Sequence, residues 1–101
     1  MEGHGRVEVL SAGEVPVLML IGEFDLDNCE LLLDQFEKLR VEQCRHVVLD
    51  MSETRFIDST TLGALARAYR GGLRFTVRGA AGVPRRALEI VGLDTVFAFE
   101  S

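Results

Sequence analysis

Two hydrophobic rhythms run along the chain, and the switches between them mark its elements. Arg6-Val7-Glu8-Val9-Leu10-Ser11 alternates polar and apolar, the period of a half-exposed strand. Val15-Pro16-Val17-Leu18-Met19-Leu20-Ile21-Gly22 is apolar throughout and predicts a buried strand, with Pro16 near its start, where a missing N–H is tolerated. Ala12-Gly13-Glu14 between them reads as a tight turn, so the pair should form an antiparallel hairpin. Asp27 followed by Glu30 then fits a capping box. Leu32, Leu33, Phe36 and Leu39 share one face while Asp34, Glu37, Lys38 and Arg40 lie mostly off it. That spacing predicts a helix of about four turns resting on a sheet.

The second half repeats the exchange of periods. Arg45-His46 opens a strand whose consecutive apolar residues, Val47-Val48-Leu49 before Asp50, suggest burial on both faces, as in a central parallel strand. Ser52-Glu53-Thr54-Arg55 reads as a loop, with Phe56 and Ile57 pointing inward from the same connection. Asp58 or Ser59 can cap a second helix, in which Leu62, Leu65, Ala66 and Tyr69 repeat at helical spacing. Gly63 and Ala64 keep part of its surface thin, and Gly71-Gly72 stops it. Leu73 to Val77 alternates as a strand. Pro84 lies near the first turn of a third helix that carries Val83, Ala87, Leu88, Ile90 and Val91, with Arg85, Arg86 and Glu89 outward. Gly92-Leu93 ends that helix, and Val96 to Phe99 can form a short last strand. The order β-β-α-β-α-β-α-β implies right-handed crossovers and a largely parallel sheet, an α/β fold.

Composition narrows what such a fold can do. One domain accounts for residues 1–101, and an apolar content of 48% supports a real core. The net charge of −5 is a poor footprint for nucleic acid or anionic lipid, which call for a basic stripe. If charge matters to a partner, that partner is basic. Met1 to Arg6 contains no apolar signal core, and the longest apolar run, Val15 to Ile21, falls far short of a membrane span. Cys29 and Cys44 lack metal-ligand spacing and read as reduced thiols of a cytoplasmic protein.

Candidates for catalysis fare poorly. Gly3-His4-Gly5 and Gly79-Ala80-Ala81-Gly82 lack the lysine and hydroxyl of a phosphate loop. His4 and His46 stand in no metal-ligand spacing, and no Ser-His-acid set can be named. Asp50 and Asp58 form an acid/base pair only in principle, and a strand-end acid and a helix cap are the simpler roles. No catalytic residue, metal or cofactor is assigned. What stands out is Asp58-Ser59-Thr60-Thr61, an acid and three hydroxyls at the start of a helix. Satisfying the free N–H groups of the first turn explains one or two of them, not four. A phosphate there would add about −1.5 to −2 charges, tolerated by the helix dipole but obstructive to a docked partner.

Taken together, Gly22-Glu23-Phe24-Asp25, Val47-Val48-Leu49-Asp50, Phe56-Ile57-Asp58-Ser59-Thr60-Thr61-Leu62-Gly63 and Arg86 through Val91-Gly92-Leu93 resemble the STAS domain, and more narrowly the bacterial anti-sigma-factor antagonists. The resemblance spans nearly the whole chain in the right order. It implies a mixed four- to five-stranded sheet with helices packed mainly on one side. It also implies a non-enzymatic switch in the cytoplasm. The unphosphorylated form would bind an anti-sigma factor, often a GHKL-type serine/threonine kinase, and so release a sigma factor. A PPM-type phosphatase would reverse the phosphorylation. Carried over, the acceptor is Thr60, with Asp25, Asp58, Ser59, Thr61, Leu62 and Gly63 on the partner surface. The position after the acceptor, often Gly in the family, is Thr61 here, which keeps Ser59 and Thr61 as alternative acceptors. ATP and Mg²⁺ would belong to the kinase. Rival readings are a STAS scaffold or accessory subunit that is never phosphorylated, of stressosome or lipid-transport type, and a small nucleotide-binding module. Self-association as a homodimer stays open.

Overall fold

In the computed structural model, which describes residues 5–10 and 15–100, six strands form one sheet carrying three α-helices. The expected turn at 12–14 and the terminal segment around His4 lie outside the described residues. The hairpin is present as β1 (Gly5–Val9) antiparallel to β2 (Val17–Phe24). Then come α1 (Glu30–Val41), β3 (His46–Asp50), β4 (Thr54–Ile57), α2 (Ser59–Arg70), β5 (Arg74–Arg78), α3 (Gly82–Ile90), a 3₁₀ turn (Leu93–Thr95) and β6 (Ala98–Glu100). The main sheet order is β1-β2-β3-β5-β6, and every pairing after the hairpin is parallel.

The expected loop at 52–55 is where the strand count changes. Thr54–Ile57 is a strand, so the sheet has six strands rather than four or five. β2 is long enough to serve two neighbours on one edge. Val17 to Met19 pair with Val48 to Asp50, and Gly22 to Phe24 pair with Thr54 to Ile57. Between them the chain leaves the sheet and returns, with the Gly22 N–H donating to the Glu53 carbonyl at 2.9 Å. The buried Thr54 hydroxyl donates to the Leu20 carbonyl at 2.6 Å and fastens the returning strand. Within β4, Ile57 is buried but Phe56 is exposed, contrary to the expectation that both point inward. In an extended strand, neighbouring side chains point to opposite faces.

One sheet face meets all three helices. Leu18, Leu20 and Phe24 of β2, Val47 and Leu49 of β3, and Phe75 and Val77 of β5 form a single core with Leu32, Phe36 and Leu39 of α1, Leu62 and Leu65 of α2, and Leu88 of α3. Truncating a buried leucine such as Leu49 or Leu65 to Ala is expected to cost about 2–5 kcal/mol. Parallel pairs on both sides explain the continuous apolar run of β3.

Three expected inward faces are narrower than the periodicity implied. Leu33 is exposed on α1, which spans twelve residues and starts at Glu30, so Asp27 is not its cap. Tyr69 is partly exposed, its ring edge-on to Phe97 at 5.9 Å. On α3 the inward stripe runs through Pro84, Ala87 and Leu88, which leaves Val83 and Ile90 exposed and Val91 exposed at the helix end. Gly92 takes φ +82°, the left-handed conformation expected of a helix stop, and Leu93 after it is buried.

Candidate functional site

β2 and β4 run side by side and end together, with Phe24 opposite Ile57. Beyond the carboxyl ends of parallel strands is where open α/β sheets place their sites. Two segments emerge there, the 25–29 turn and the first turn of α2. The Asp58 N–H donates to the Phe24 carbonyl at 3.1 Å and holds the second exit against the first.

Asp58 then ties the two segments together with its side chain. Its Oδ1 accepts the Thr61 N–H at 2.9 Å as the N-cap of α2. Its Oδ2 accepts the Leu26 N–H at 3.2 Å, from the other segment. One carboxylate thus serves a donor on each side.

The 25–29 turn is held from within as well. Asp25 Oδ1 accepts the Asp27 N–H at 2.9 Å, and the Asp25 carbonyl accepts from the Asn28 and Cys29 amides at 3.1 and 2.9 Å. Asn28 uses both ends of its amide. Its Oδ1 accepts the Asp25 N–H at 2.8 Å, and its Nδ2 donates to the Glu23 carbonyl at 2.9 Å. Gly5 of β1 backs this bracket so closely that a Cβ there would lie 2.4 Å from the Glu23 oxygen and 2.9 Å from Asn28 Nδ2. Asp25 Oδ1 takes the Asp27 N–H that the Glu30 side chain of a capping box would need, and the helix begins later, at Glu30.

The hydroxyls divide by exposure. Ser59 is exposed and Thr60 half-buried, whereas Thr61 is fully buried, its Oγ1 without a hydrogen-bond partner among the described residues. Leu62 is buried in the core and Gly63 is half-exposed. Of the residues expected at a partner surface, Asp25, Asp58, Ser59, Thr60 and Gly63 therefore reach solvent, while Thr61 and Leu62 face inward. Leu26 and Asn28 were not singled out from the sequence. Their signal was modest: one apolar residue between two aspartates, followed by a residue whose amide can both donate and accept.

Other chemistry-bearing residues lie elsewhere. His46 Nε2 and Thr76 Oγ1 share a hydrogen bond at 2.7 Å on neighbouring strands. Asp50 accepts from the Ser52 hydroxyl at 2.7 Å and sits 3.8 Å from Arg78. An open cleft of about 760 Å³ between α1 and α2 is lined by Leu33, Phe36, Arg40, Ala64, Arg67 and Leu73, among others, and none of Asp25, Asp58, Ser59, Thr60 and Thr61 lines it. At its edge a side-chain hydrogen bond from Arg40 holds the Glu37 carboxyl below its ordinary value. Among the described residues no group of three or more His, Cys, Asp or Glu could hold a metal ion, and no helix is long and apolar enough to cross a membrane.

Comparisons with known proteins agree on the architecture. The family model described as "Mlab, STAS domain" matches residues 7–98. No curated protein matches the chain. An anti-sigma factor antagonist from Mycobacterium paratuberculosis superposes with a TM-score of 0.84 at 24% identity, over 98% of this chain and 87% of that one. The anti-sigma factor antagonist SpoIIAA in its unphosphorylated form superposes at 0.73 with 14% identity, over 94% and 87%. The protein TM1081, solved by NMR, superposes at 0.77 with 21% identity, over 100% and 85%. At these identities the likeness is one of fold.

Proposed function

The chain belongs to the STAS domain family, and from that membership we propose that it is an anti-sigma-factor antagonist, a binding protein switched by phosphorylation at the start of α2. In this reading the unphosphorylated chain docks on an anti-sigma factor of the GHKL kinase type in the bacterial cytoplasm and frees a sigma factor. The kinase modifies Thr60, with Ser59 as the alternative, and a PPM-type phosphatase restores binding. The buried side chain of Thr61 favours its two neighbours as acceptors. This chain supplies neither a catalytic group nor a cofactor. ATP and Mg²⁺ belong to the kinase.

The observation that carries the reading is the position of Ser59 and Thr60. They sit on the rim formed where Asp58 joins the α2 start to the 25–29 turn. A phosphate on either adds about −1.5 to −2 charges beside a surface that already holds Asp25, Asp27 and Asp58. The first-turn N–H groups accommodate it, so the fold survives while a docked partner is expelled. Incubation with the GHKL kinases of the source genome and ATP, followed by intact-mass measurement, is the test. A gain of one phosphate that disappears in Thr60→Ala is the expected result. No gain with any kinase sinks the phosphoswitch.

A STAS accessory subunit or scaffold that is not phosphorylated is the second reading, favoured by the match to the Mlab domain model. It shares the partner surface but predicts that Ser59 and Thr60 stay unmodified.

A further inference from the structure

We infer that Leu26 is the apolar anchor of the partner surface and that it selects a partner with an apolar socket rimmed by lysine or arginine. This rests on the binding role proposed above and specifies what the chain binds to.

Leu26 is 72% exposed, yet nothing about it is loose. A single exposed leucine on a protein surface needs no explanation. This one differs in three respects. Its amide is held by the carboxylate of Asp58, from a segment far along the chain. The residues on either side are fixed by the Asp25 and Asn28 hydrogen bonds, so the side chain projects from a rigid turn. It also stands on the rim that exposes Ser59 and Thr60, because the acid that holds its amide caps their helix. An apolar group presented from a preorganised loop binds without the entropy cost of ordering that loop. A phosphate beside it would block the same partner sterically and electrostatically.

Charge defines the rest of the socket. No Lys, Arg or His occurs between Arg6 and Lys38, nor between Phe56 and Ala66. Leu26 is flanked in the chain by Asp25 and Asp27 and held through its amide by Asp58, three carboxylates with no cation of the same segments among them. A complementary partner offers a basic rim around an apolar hollow. Steering by that rim is screened by salt, whereas the leucine contact is not.

The test uses the full chain and the anti-sigma factor that the wild-type protein binds in a panel of GHKL kinases from the source genome. Leu26→Ala should weaken binding about tenfold to a hundredfold, the range expected for losing one buried leucine side chain, with an unchanged melting temperature. Leu26→Met should bind within a fewfold of wild type. Ile90→Ala, equally exposed at 71% on the end of α3, should bind as wild type. Raising NaCl from about 50 to 500 mM should weaken wild type and Leu26→Ala by the same factor. Binding by Leu26→Ala within twofold of wild type overturns the anchor while leaving the proposed function standing. An equal loss in Ile90→Ala also overturns it. If the wild-type chain binds no member of the panel, the proposed function fails and the anchor with it.

Discussion

Asp58 and Thr61 are joined by one hydrogen bond, and the residue that donates it is left with another polar group unserved. The Thr61 N–H donates to Asp58 Oδ1 at 2.9 Å, while Thr61 Oγ1 is buried without a partner among the described residues. Leaving a buried hydroxyl unmade costs about 1–3 kcal/mol. Valine has nearly the same shape and no hydroxyl. Thr61→Val should therefore raise stability by about 1 kcal/mol, seen as a higher denaturant midpoint at unchanged m-value. A loss of stability would mean that Oγ1 has an essential partner.

The double duty of Asp58 predicts graded losses. Asp58→Ala removes the cap of α2 and the acceptor for Leu26 together, and should cost about 2 kcal/mol. For a chain of this size that corresponds to a fall in Tm on the order of 10 °C. Asp58→Asn keeps a capping oxygen for Thr61 but turns an NH₂ toward the Leu26 amide. Its global loss should be under about 1 kcal/mol, with amide exchange accelerated selectively at Leu26.

Gly63 lies inside α2, where Gly costs about 0.5–1 kcal/mol relative to Ala. The nearest atom a Cβ would meet is Arg67 Nη1 at 3.4 Å, the flexible end of a side chain. Gly63→Ala should thus stabilise the free protein by about that amount. If the exposed side of α2 faces the partner, the same variant should bind more weakly. Calorimetric melting and a binding titration read the two effects separately. Destabilisation of the free chain would contradict the first.

Much of the fold was legible because local pattern and tertiary pairing agree there. The β1–β2 hairpin, the apolar run of β3, the Asp58 cap and the Gly92 stop all satisfy rules that involve only neighbouring residues. β4 was not legible. Thr54-Arg55-Phe56-Ile57 is buried only at its two ends, and its pairing with β2 shifts register between Gly22 and Glu23, so no clean period of two survives. The late start of α1 was hidden for a different reason. Asp27 and Glu30 have capping spacing, but the Asp27 N–H is taken by Asp25 Oδ1, inside a turn that Asn28 ties back to Glu23 with Gly5 behind it. At the site, the hydroxyl cluster could be read, but which of its members faces solvent depends on how α2 is rolled onto the sheet.

Gly5 tests that bracket. A Cβ at this position must displace the Glu23 carbonyl or Asn28 Nδ2, and the former is backbone. Gly5→Ala should cost about 1–3 kcal/mol, with exchange protection lost first at the amides of Asp25, Asn28 and Cys29. Full protection there would show that β1 shifts without disturbing the turn.

Thr60 separates modification from docking. Thr60→Ala should keep partner binding and lose phosphorylation. Thr60→Glu should keep its circular dichroism, since an acid in the first turn suits the helix dipole, yet bind at least about tenfold more weakly. Stoichiometric phosphorylation of Thr60→Ala would move the acceptor to Ser59 or Thr61.

β2 has a further consequence, for the timing of folding. Its pairing with β1 closes across a short connection, but its other edge waits for β3 and β4, about thirty residues further along. The Asp58 contacts to Phe24 and Leu26 can form only after that closure. The rim that Asp58 joins is thus completed by long-range closure and not by local pairing. A partly folded copy therefore displays the hydroxyls of Ser59 and Thr60 without the rim around them.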